Sequence, residues 1–230
     1  MPTQPSAPPT GPTQKTARVV IVEDYPVVRD AMAQLLSNTP GFVVVATVGD
    51  INGAREIVQL EKPDALLLDL MLGGGDSLGL ISELSTTSPE TKILVLSMMN
   101  EAVYAERALR AGAIGYIMKT AETAEVVNAL RCVLEGRVYL SPRIFVSMFR
   151  GLLKRSPKTT LPGVEGLSDR ELQIFQMIGA GIPNRDIATQ LSISVKTVET
   201  HRENLKNKLG FHDGAALKDA ASTFVNSLVT

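Results

Sequence analysis

The sequence contains a single cysteine, Cys132, among its 230 residues, so no disulfide forms within the chain. A lone cysteine fits a reducing compartment, which favours a cytoplasmic protein. No stretch approaches the roughly 18 consecutive apolar residues of a membrane span, and the N-terminus lacks the apolar segment of a secretory signal. The two histidines, His201 and His212, lie at no metal-ligand spacing from Cys132. These absences exclude a disulfide scaffold, predict no membrane association and argue against a His/Cys metal site.

The sequence also lacks a strong excess of one charge, since its formal net charge is −1. That charge is uneven: residues 17–142 carry 10 basic against 16 acidic side chains, residues 143–164 carry 5 against none, and residues 165–230 carry 7 against 8. Nucleic-acid-binding proteins are usually basic, so charge alone does not predict one here. The length favours two domains, and the Pro-, Thr- and Gln-rich residues 1–15 predict a disordered tail.

Residues 16–142 alternate apolar strand patterns with amphipathic helix patterns five times. The strands are predicted at Val19–Glu23, Phe42–Val48, Ala65–Asp69, Ile93–Ser97 and Ala113–Met118. The helices between them are predicted at Pro26–Ser37, Asn52–Glu61, Ser77–Thr86, Glu101–Ala111 and Glu122–Glu135. Such alternation predicts an α/β domain with a doubly wound, five-stranded parallel sheet. Cys132 falls on the apolar face of the last of these helices, which predicts a buried thiol.

Polar side chains follow the predicted strands where their carboxyl ends meet at one edge of the sheet. The first strand ends in Glu23 and Asp24, the third in Asp69, the fourth in Ser97 and the fifth in Lys119. Taken alone, Asp69 is a metal ligand, a nucleophile or a helix cap. Converging carboxylates repel unless a cation intervenes, and an oxygen-rich cluster suits Mg²⁺. A carboxylate beside Mg²⁺ accepts a phosphoryl group as an acyl phosphate, whose oxygens a lysine and a hydroxyl would stabilise.

The rest of the chain is helical in pattern. Residues 143–164 predict a basic, amphipathic helix and a Pro- and Gly-containing linker. Residues 165–230 predict four helices, the first opened by a capping box at Ser168, the second capped by Asn184 and the third capped by Ser194. The second and third are separated by a short turn, as in a helix-turn-helix. From periodicity alone, a plain helical bundle without DNA contacts stays open.

Four of the strand ends resemble the receiver domain of two-component response regulators, and the resemblance covers residues 17–142. The motifs are Val22-Glu23-Asp24, Leu68-Asp69-Leu70, Leu96-Ser97-Met98 and Tyr116-Ile117-Met118-Lys119. The resemblance implies a flavodoxin-like fold in which Asp69 accepts phosphate from a sensor histidine kinase. It also implies that Glu23, Asp24 and Asp69 bind Mg²⁺, that Ser97 and Lys119 contact the phosphoryl group, and that Tyr116 turns inward as a switch. Residues 101–135 would then form the switching and dimerising face.

The helical module resembles the LuxR-type DNA-binding domain over residues 165–228. The motifs are Leu167-Ser168-x-Arg170-Glu171, Gly181-Ile182-Pro183-Asn184, Ile187-Ala188-x-x-Leu191 and the run from Ser194 to His201. Together the two modules resemble a NarL/FixJ-type response regulator that binds double-stranded DNA as a homodimer, with RNA polymerase as a further implied partner. The resemblance implies DNA contacts from the recognition helix 195–209, which the unphosphorylated receiver would block. Those contacts are Lys196, Thr197, Glu199, Thr200, Arg202, Glu203 and Lys206.

Several positions depart from the receiver pattern, and two alternative functions remain at this point. Glu23 stands where Asp is frequent, Gly73 where Pro is frequent, and Thr120 replaces a Pro that commonly follows the lysine. Met71 and Met99 flank the path of an attacking water, so we hypothesise that they shield the acyl phosphate. An aspartyl phosphatase or phosphotransferase would use similar groups, but it usually carries a second Asp at the position of Met71. A regulator of the same fold that responds without phosphate is the other alternative.

Overall fold

The computed structural model describes residues 16–73, 75–153, 161, 163–191 and 193–227. The predicted tail 1–15 and most of the predicted linker lie outside these residues. The strands are β1 Ala17–Val22, β2 Phe42–Val48, β3 Ala65–Leu68, β4 Lys92–Ser97 and β5 Gly115–Met118. The helices are α1 Pro26–Ser37, α2 Ile51–Glu61, α3 Ser77–Thr87, α4 Glu101–Ala111, α5 Thr123–Leu134, α6 Pro142–Leu153, α7 Asp169–Gly179, α8 Asn184–Gln190, α9 Val195–Leu209 and α10 Gly214–Ser227.

The five strands form one parallel sheet in the order β2-β1-β3-β4-β5, which confirms the predicted fold class. β3 is central and buried along its whole length, as its uninterrupted apolar sequence requires. In β1 the side chains alternate between two cores: Val19 and Ile21 belong to one, Val20 and Val22 to the other. The sheet is therefore covered on both faces, and its carboxyl-end edge is left for polar side chains. Within the described residues, no helix has the length and apolarity needed to cross a membrane.

The polar residues predicted at strand ends mostly lie one step beyond the strands. Asp69 follows β3 directly, and its backbone N–H donates to the carbonyl of Val22 at 2.9 Å. Lys119 follows β5 and donates in the same way to the carbonyl of Ser97 at 2.9 Å. These backbone bonds continue the sheet for one residue and fix where the two side chains begin.

The segment after α5 covers the outer edge of β5. Tyr139 bridges to this edge, its carbonyl accepting from the N–H of Tyr116 at 2.9 Å. The N–H of Ser141 then donates to the Glu101 carboxylate at the start of α4, also at 2.9 Å. α6 follows and packs on α4, with Ile144 buried in the core. The face predicted for switching and dimerisation is thus partly occupied by the chain's own connector.

Two predictions at single residues are wrong. The Asn184 side chain does not cap α8, because Pro183 takes the cap position and Asn184 is the first helical residue. Its side-chain oxygen instead lies 3.3 Å from an Arg202 guanidinium nitrogen, which donates to it. Cys132 is partly exposed rather than buried, because it lies at the flank of the apolar face of α5, where its thiol is 3.6 Å from the Arg137 carbonyl oxygen.

The helical domain is built around α7, which opens with the predicted capping box. The hydroxyl of Ser168 accepts from the N–H of Glu171, and the Glu171 carboxylate accepts from the N–H of Ser168 at 2.9 Å. α7 packs closely on α10, with the rings of Phe175 and Phe224 5.6 Å apart. α9 lies against α7 and α8 and buries Val198 and Leu205. The predicted four-helix order and the inward face of α9 are both present.

The Glu171 carboxylate makes the stability of this domain depend on pH. It is 5% exposed and also accepts from the Lys208 ammonium at 2.7 Å. Burial alone raises the pKa of Glu171, but the hydrogen bonds from Lys208 and Ser168 outweigh it and hold the pKa below its ordinary value of 4.5. A carboxyl whose pKa is lower in the folded state stabilises that state above the unfolded pKa, and this contribution is lost as pH falls through the folded pKa.

Glu171→Gln is therefore expected to lower the free energy of unfolding by about 2 kcal/mol at neutral pH, since hydrogen bonds to a charged group are lost. The wild type should lose the same advantage once pH falls below 4.5. Denaturant unfolding of both proteins at neutral and acidic pH measures the difference. Equal stability at neutral pH, or a difference that persists unchanged in acid, would contradict the assignment.

Candidate phosphorylation site and DNA-binding helix

The structure brings Glu23, Asp24 and Asp69 together at the carboxyl-end edge of the sheet. One oxygen from each lies within 4.8 Å of the others. Glu23 and Asp69 are each 3% exposed, whereas Asp24 is half-buried. Three carboxylates this close repel one another, and burial prevents water from screening that repulsion. The cluster therefore needs cations.

Lys119 supplies one positive charge. Its ammonium lies 2.6 Å from a Glu23 oxygen and 2.7 Å from Asp69 Oδ2, so it bridges the two most buried carboxylates. Burial disfavours the charged lysine, but the neighbouring carboxylates outweigh this and raise the pKa of Lys119. The pKa of Glu23 is also raised, chiefly by burial and further by the charge of Asp69, although Lys119 opposes the rise. One lysine therefore does not neutralise the cluster fully.

Two carboxylate oxygens at the cluster lack a hydrogen-bond partner among the described residues. They are Asp24 Oδ1 and Asp69 Oδ1, both fully buried. A buried anionic oxygen without a donor is costly unless it ligates a cation. Oxygen ligands of this kind suit Mg²⁺. The residues present thus fit the metal expected from the sequence.

Ser97 and Tyr116 lie beside the cluster, and Tyr116 is already in the interior. Both side chains are fully buried. The Ser97 hydroxyl accepts from the N–H of Met99 at 3.3 Å, and the Tyr116 hydroxyl donates to the carbonyl of Met99 at 2.7 Å. Burial raises the pKa of Tyr116 well above its ordinary value. Because the Tyr116 side chain is already in the interior, no inward rotation is needed from this conformation.

Gly73 and the two methionines form the rim of the site. The N–H of Gly73 donates to Asp24 Oδ2 at 3.1 Å, and Gly73 adopts a φ of +50°. The Pro that is frequent here could neither donate this bond nor take this φ. Met71 and Met99 are both half-buried beside the site, so their proposed shielding of an acyl phosphate stays a prediction.

The recognition helix α9 presents most of its predicted DNA contacts outward. Lys196, Glu199, Thr200 and Glu203 are exposed, and Thr197, Arg202 and Lys206 are half-buried. The Lys206 ammonium lies 2.8 Å from the Glu203 carboxylate, so these two charges partly compensate. His201 is half-buried with an unpartnered Nδ1, and burial lowers its pKa, as expected of a packing residue. The expectation that the receiver covers this helix is not met, because its outer face is open.

The two domains instead meet through α4 and α7. The Arg107 guanidinium donates to the carbonyls of Val164 and Leu167 at 3.1 and 2.9 Å and to the Asp169 carboxylate at 3.1 Å. Burial raises the pKa of Asp169, and the adjacent Arg107 limits the rise. We call these contacts of Arg107 the interdomain clasp. Sequence reasoning missed it, since a single arginine in an ordinary helix carries no signal of a partner some sixty residues away.

Comparisons with known proteins agree with this geometry. The model for "Response regulator receiver domain" matches residues 19–131, and that for "Bacterial regulatory proteins, luxR family" matches residues 165–221. The Oxygen regulatory protein NreC of Staphylococcus aureus is 37% identical over 209 residues, which are 89% of this chain and 96% of that protein.

Solved structures show the same fold. A LuxR-family two-component response regulator from Aurantimonas sp. SI85-9A1 matches with a TM-score of 0.57 and 31% identity, covering 61% of this chain and all of that one. RcsB from Salmonella typhimurium matches with a TM-score of 0.55 and 21% identity, covering 91% of this chain and 99% of that one. With both domains, the carboxylate cluster and the exposed helix in place, the chain belongs to the NarL-type response regulators and is a phosphorylation-regulated, DNA-binding transcription regulator.

Proposed function

We propose that Asp69 is the phosphoacceptor and that a sensor histidine kinase is its donor. The observation that carries this is Asp69 Oδ1, a buried carboxylate oxygen without a donor, beside an oxygen held by Lys119. The carboxylate oxygen bonds to phosphorus while the bond from phosphorus to the histidine nitrogen breaks, and the nitrogen keeps the electron pair. Lys119 and the Ser97 hydroxyl then stabilise the oxygens of the aspartyl phosphate.

Glu23, Asp24 and Asp69 would hold Mg²⁺ at this site. The bound ion would neutralise charge on the phosphoryl oxygens during transfer. Glu23 has a longer side chain than the Asp frequent in relatives, and its carboxylate is shared with Lys119. The chain's own chemistry is limited to this transfer and to loss of the phosphate. An aspartyl phosphatase would need a general acid at the position of Met71, and a methionine has no carboxylate to serve as one.

DNA binding would occur through α9 in a homodimer on a two-fold site. Lys196, Thr197, Arg202 and Lys206 would contact phosphates, while Glu199, Thr200 and Glu203 face bases, where a carboxylate accepts from cytosine N4. The two acidic side chains on the base-facing side weaken the electrostatic attraction of a single copy for DNA. We therefore infer that two copies bind together as a dimer. The outer face of α10 is open to a second copy. We place this activity in the cytoplasm, where RNA polymerase is a further expected partner.

The interdomain clasp connects the two activities. Ser97 ends β4, residues 98–100 follow, and Asn100 caps α4 by accepting from the N–H of Ala102 at 2.9 Å. A phosphoryl group that accepts a hydrogen bond from the Ser97 hydroxyl would therefore shift the segment that leads into α4. Arg107 lies further along that helix. Because the outer face of α9 is open, docking of the helical domain on the receiver does not cover the recognition helix. Docking instead restricts how two copies place their recognition helices on DNA.

Arg107→Ala is expected to undock the helical domain without phosphate. Three hydrogen bonds are lost, with a net contribution of about 2 kcal/mol, which shifts the docking equilibrium roughly 30-fold. Small-angle scattering should show a more extended molecule, and DNA affinity without a donor should approach that of the phosphorylated wild type. Arg110→Ala is the matched control, because Arg110 is 77% exposed and, within the described residues, its ion pair is with Glu106 on its own helix. Wild-type scattering and wild-type DNA affinity for Arg107→Ala would refute the coupling.

A further inference from the structure

A cleft between the two domains opens beside the phosphorylation site. It has a volume of about 290 Å³. The receiver side is lined by Asp24, Met71 and Gly73, and the helical side by Arg170, Gln190 and Leu191. Asp24 belongs to the carboxylate cluster, so the cleft borders the cluster proposed to hold the metal and accept phosphate.

Arg170 brings an unbalanced positive charge to this cleft. Its guanidinium donates to the side-chain oxygen of Gln173 at 3.0 Å and to the carbonyl of Leu191 at 2.8 Å, both neutral groups. Within the described part of the chain no carboxylate pairs with it, whereas Arg18, Arg55 and Arg107 each have one. Burial lowers the pKa of Arg170, and no acidic neighbour opposes the change. A partly buried guanidinium without a counter-ion is a ready site for an anion.

The opposite walls define the chemistry of the ligand. A carboxylate of the proposed Mg²⁺ site lies on one side and a guanidinium without a paired carboxylate on the other, which suits a small anion whose phosphoryl oxygens contact both. The volume accommodates a small acyl phosphate, but it does not accommodate a folded protein surface. A phosphohistidine presented by a protein would need the domains to separate first.

We propose that this interdomain cleft is the binding site for small phosphoryl donors of the acyl phosphate class, with Arg170 as the anion-binding group. The proposal rests on the proposed role of Asp69. An Asp69 carboxylate oxygen bonds to phosphorus, the bond between phosphorus and the acyl oxygen breaks, and the carboxylate leaving group departs with the electron pair. No oxidant, reductant or further proton is required. The helical domain thereby contributes to phosphorylation of the receiver.

Gln190 offers a test that leaves Arg170 and the helical fold intact. It is exposed at the last residue of α8, and it lines the cleft. Gln190→Lys adds a positive charge to the cleft, and Gln190→Glu adds a negative one. Gln59→Lys and Gln59→Glu are matched controls, since Gln59 is also exposed and lies near the end of α2, away from this edge of the sheet. Arg170→Gln is a further variant whose folding is checked by circular dichroism.

Initial rates of phosphoryl incorporation from acetyl phosphate are measured on the full chain with Mg²⁺ by intact mass, with Asp69→Ala as the blank. The KM for acetyl phosphate should fall about 3-fold in Gln190→Lys and rise about 3-fold in Gln190→Glu, with kcat unchanged and both effects reduced by salt. Arg170→Gln should raise KM further. Binding of inorganic phosphate to the Asp69→Ala protein, measured by calorimetry, should follow the same order without any reaction.

The outcomes separate this inference from the proposed function. One outcome is that Asp69 is phosphorylated but the KM for acetyl phosphate is the same in both Gln190 variants, or the affinity for inorganic phosphate does not change with the added charges. In that case the cleft is not the donor site and the proposed function of Asp69 stands. If the Gln59 controls change KM as much as the Gln190 variants do, the effect is one of overall charge and the inference fails. No incorporation in the wild type would overturn the role of Asp69 and this inference together.

Discussion

Asp69→Asn is expected to lower the rate of phosphoryl incorporation by several orders of magnitude, because the amide leaves no nucleophilic carboxylate at this position. The fold should survive the change. The amide oxygen still accepts from Lys119, and the cluster loses one of three mutually repelling charges. Intact mass after incubation with acetyl phosphate and Mg²⁺ measures the effect. Persisting incorporation in this variant at the wild-type rate would place the acceptor elsewhere.

Asp24→Asn serves as the companion variant for this experiment. It keeps Asp69 but removes the other carboxylate that has an unpartnered buried oxygen. We expect weaker Mg²⁺ binding and slower incorporation that higher Mg²⁺ partly restores, since one charged ligand of the ion is lost. Incorporation independent of Mg²⁺ in both proteins would contradict the metal site.

Gly179→Ala is expected to destabilise the helical domain by about 3 kcal/mol, at the upper end of overpacking costs, and to lower its melting temperature by about 10–20 °C. Gly179 ends α7, where a Cβ would lie 2.3 Å from the Ala221 carbonyl oxygen of α10. The backbone of residue 179 fixes the position of the Cβ, and its partner is a backbone carbonyl, so no side-chain rotation relieves the clash. α7 supports α9, and DNA affinity should fall with the domain's stability.

Gly166→Ala is the control for this effect. It lies in the short 3-10 turn Val164–Gly166, where an added Cβ meets nothing within 4 Å and φ is not positive. Thermal unfolding of the three proteins gives the comparison. A melting temperature for Gly179→Ala equal to that of the control would show that α7 and α10 separate easily, which would contradict their close packing.

Periodicity predicted the sheet because its strands are short apolar runs that end in polar residues. Ala65–Leu68 has no polar side chain to expose, so only a central strand suits it. Once the strands are parallel, chain connectivity alone brings Asp69, Ser97 and Lys119 to one edge. The carboxylate cluster and its lysine were therefore predictable from the order of elements. The capping box at Ser168 was equally predictable, because it depends on residues three apart.

Features that depend on contacts between distant segments were not predictable. Periodicity does not show that Arg107 meets the start of α7, or that Arg170 lies across a cleft from Asp24. The inward position of Tyr116 depends on the Met99 carbonyl, which a residue pattern does not describe. Cys132 was misplaced because the boundary of a helical face is decided by neighbouring elements. In each case the missing quantity is the relative position of packed elements.

The most direct test of the account is DNA affinity of the wild type and Asp69→Ala, each with and without Mg²⁺ and acetyl phosphate, at a fixed salt concentration. The DNA site is first selected from a random pool. We expect the donor to tighten specific binding by the wild type and to leave binding by Asp69→Ala unchanged. Equal specific binding in all conditions would retain the helix-turn-helix but contradict phosphate control.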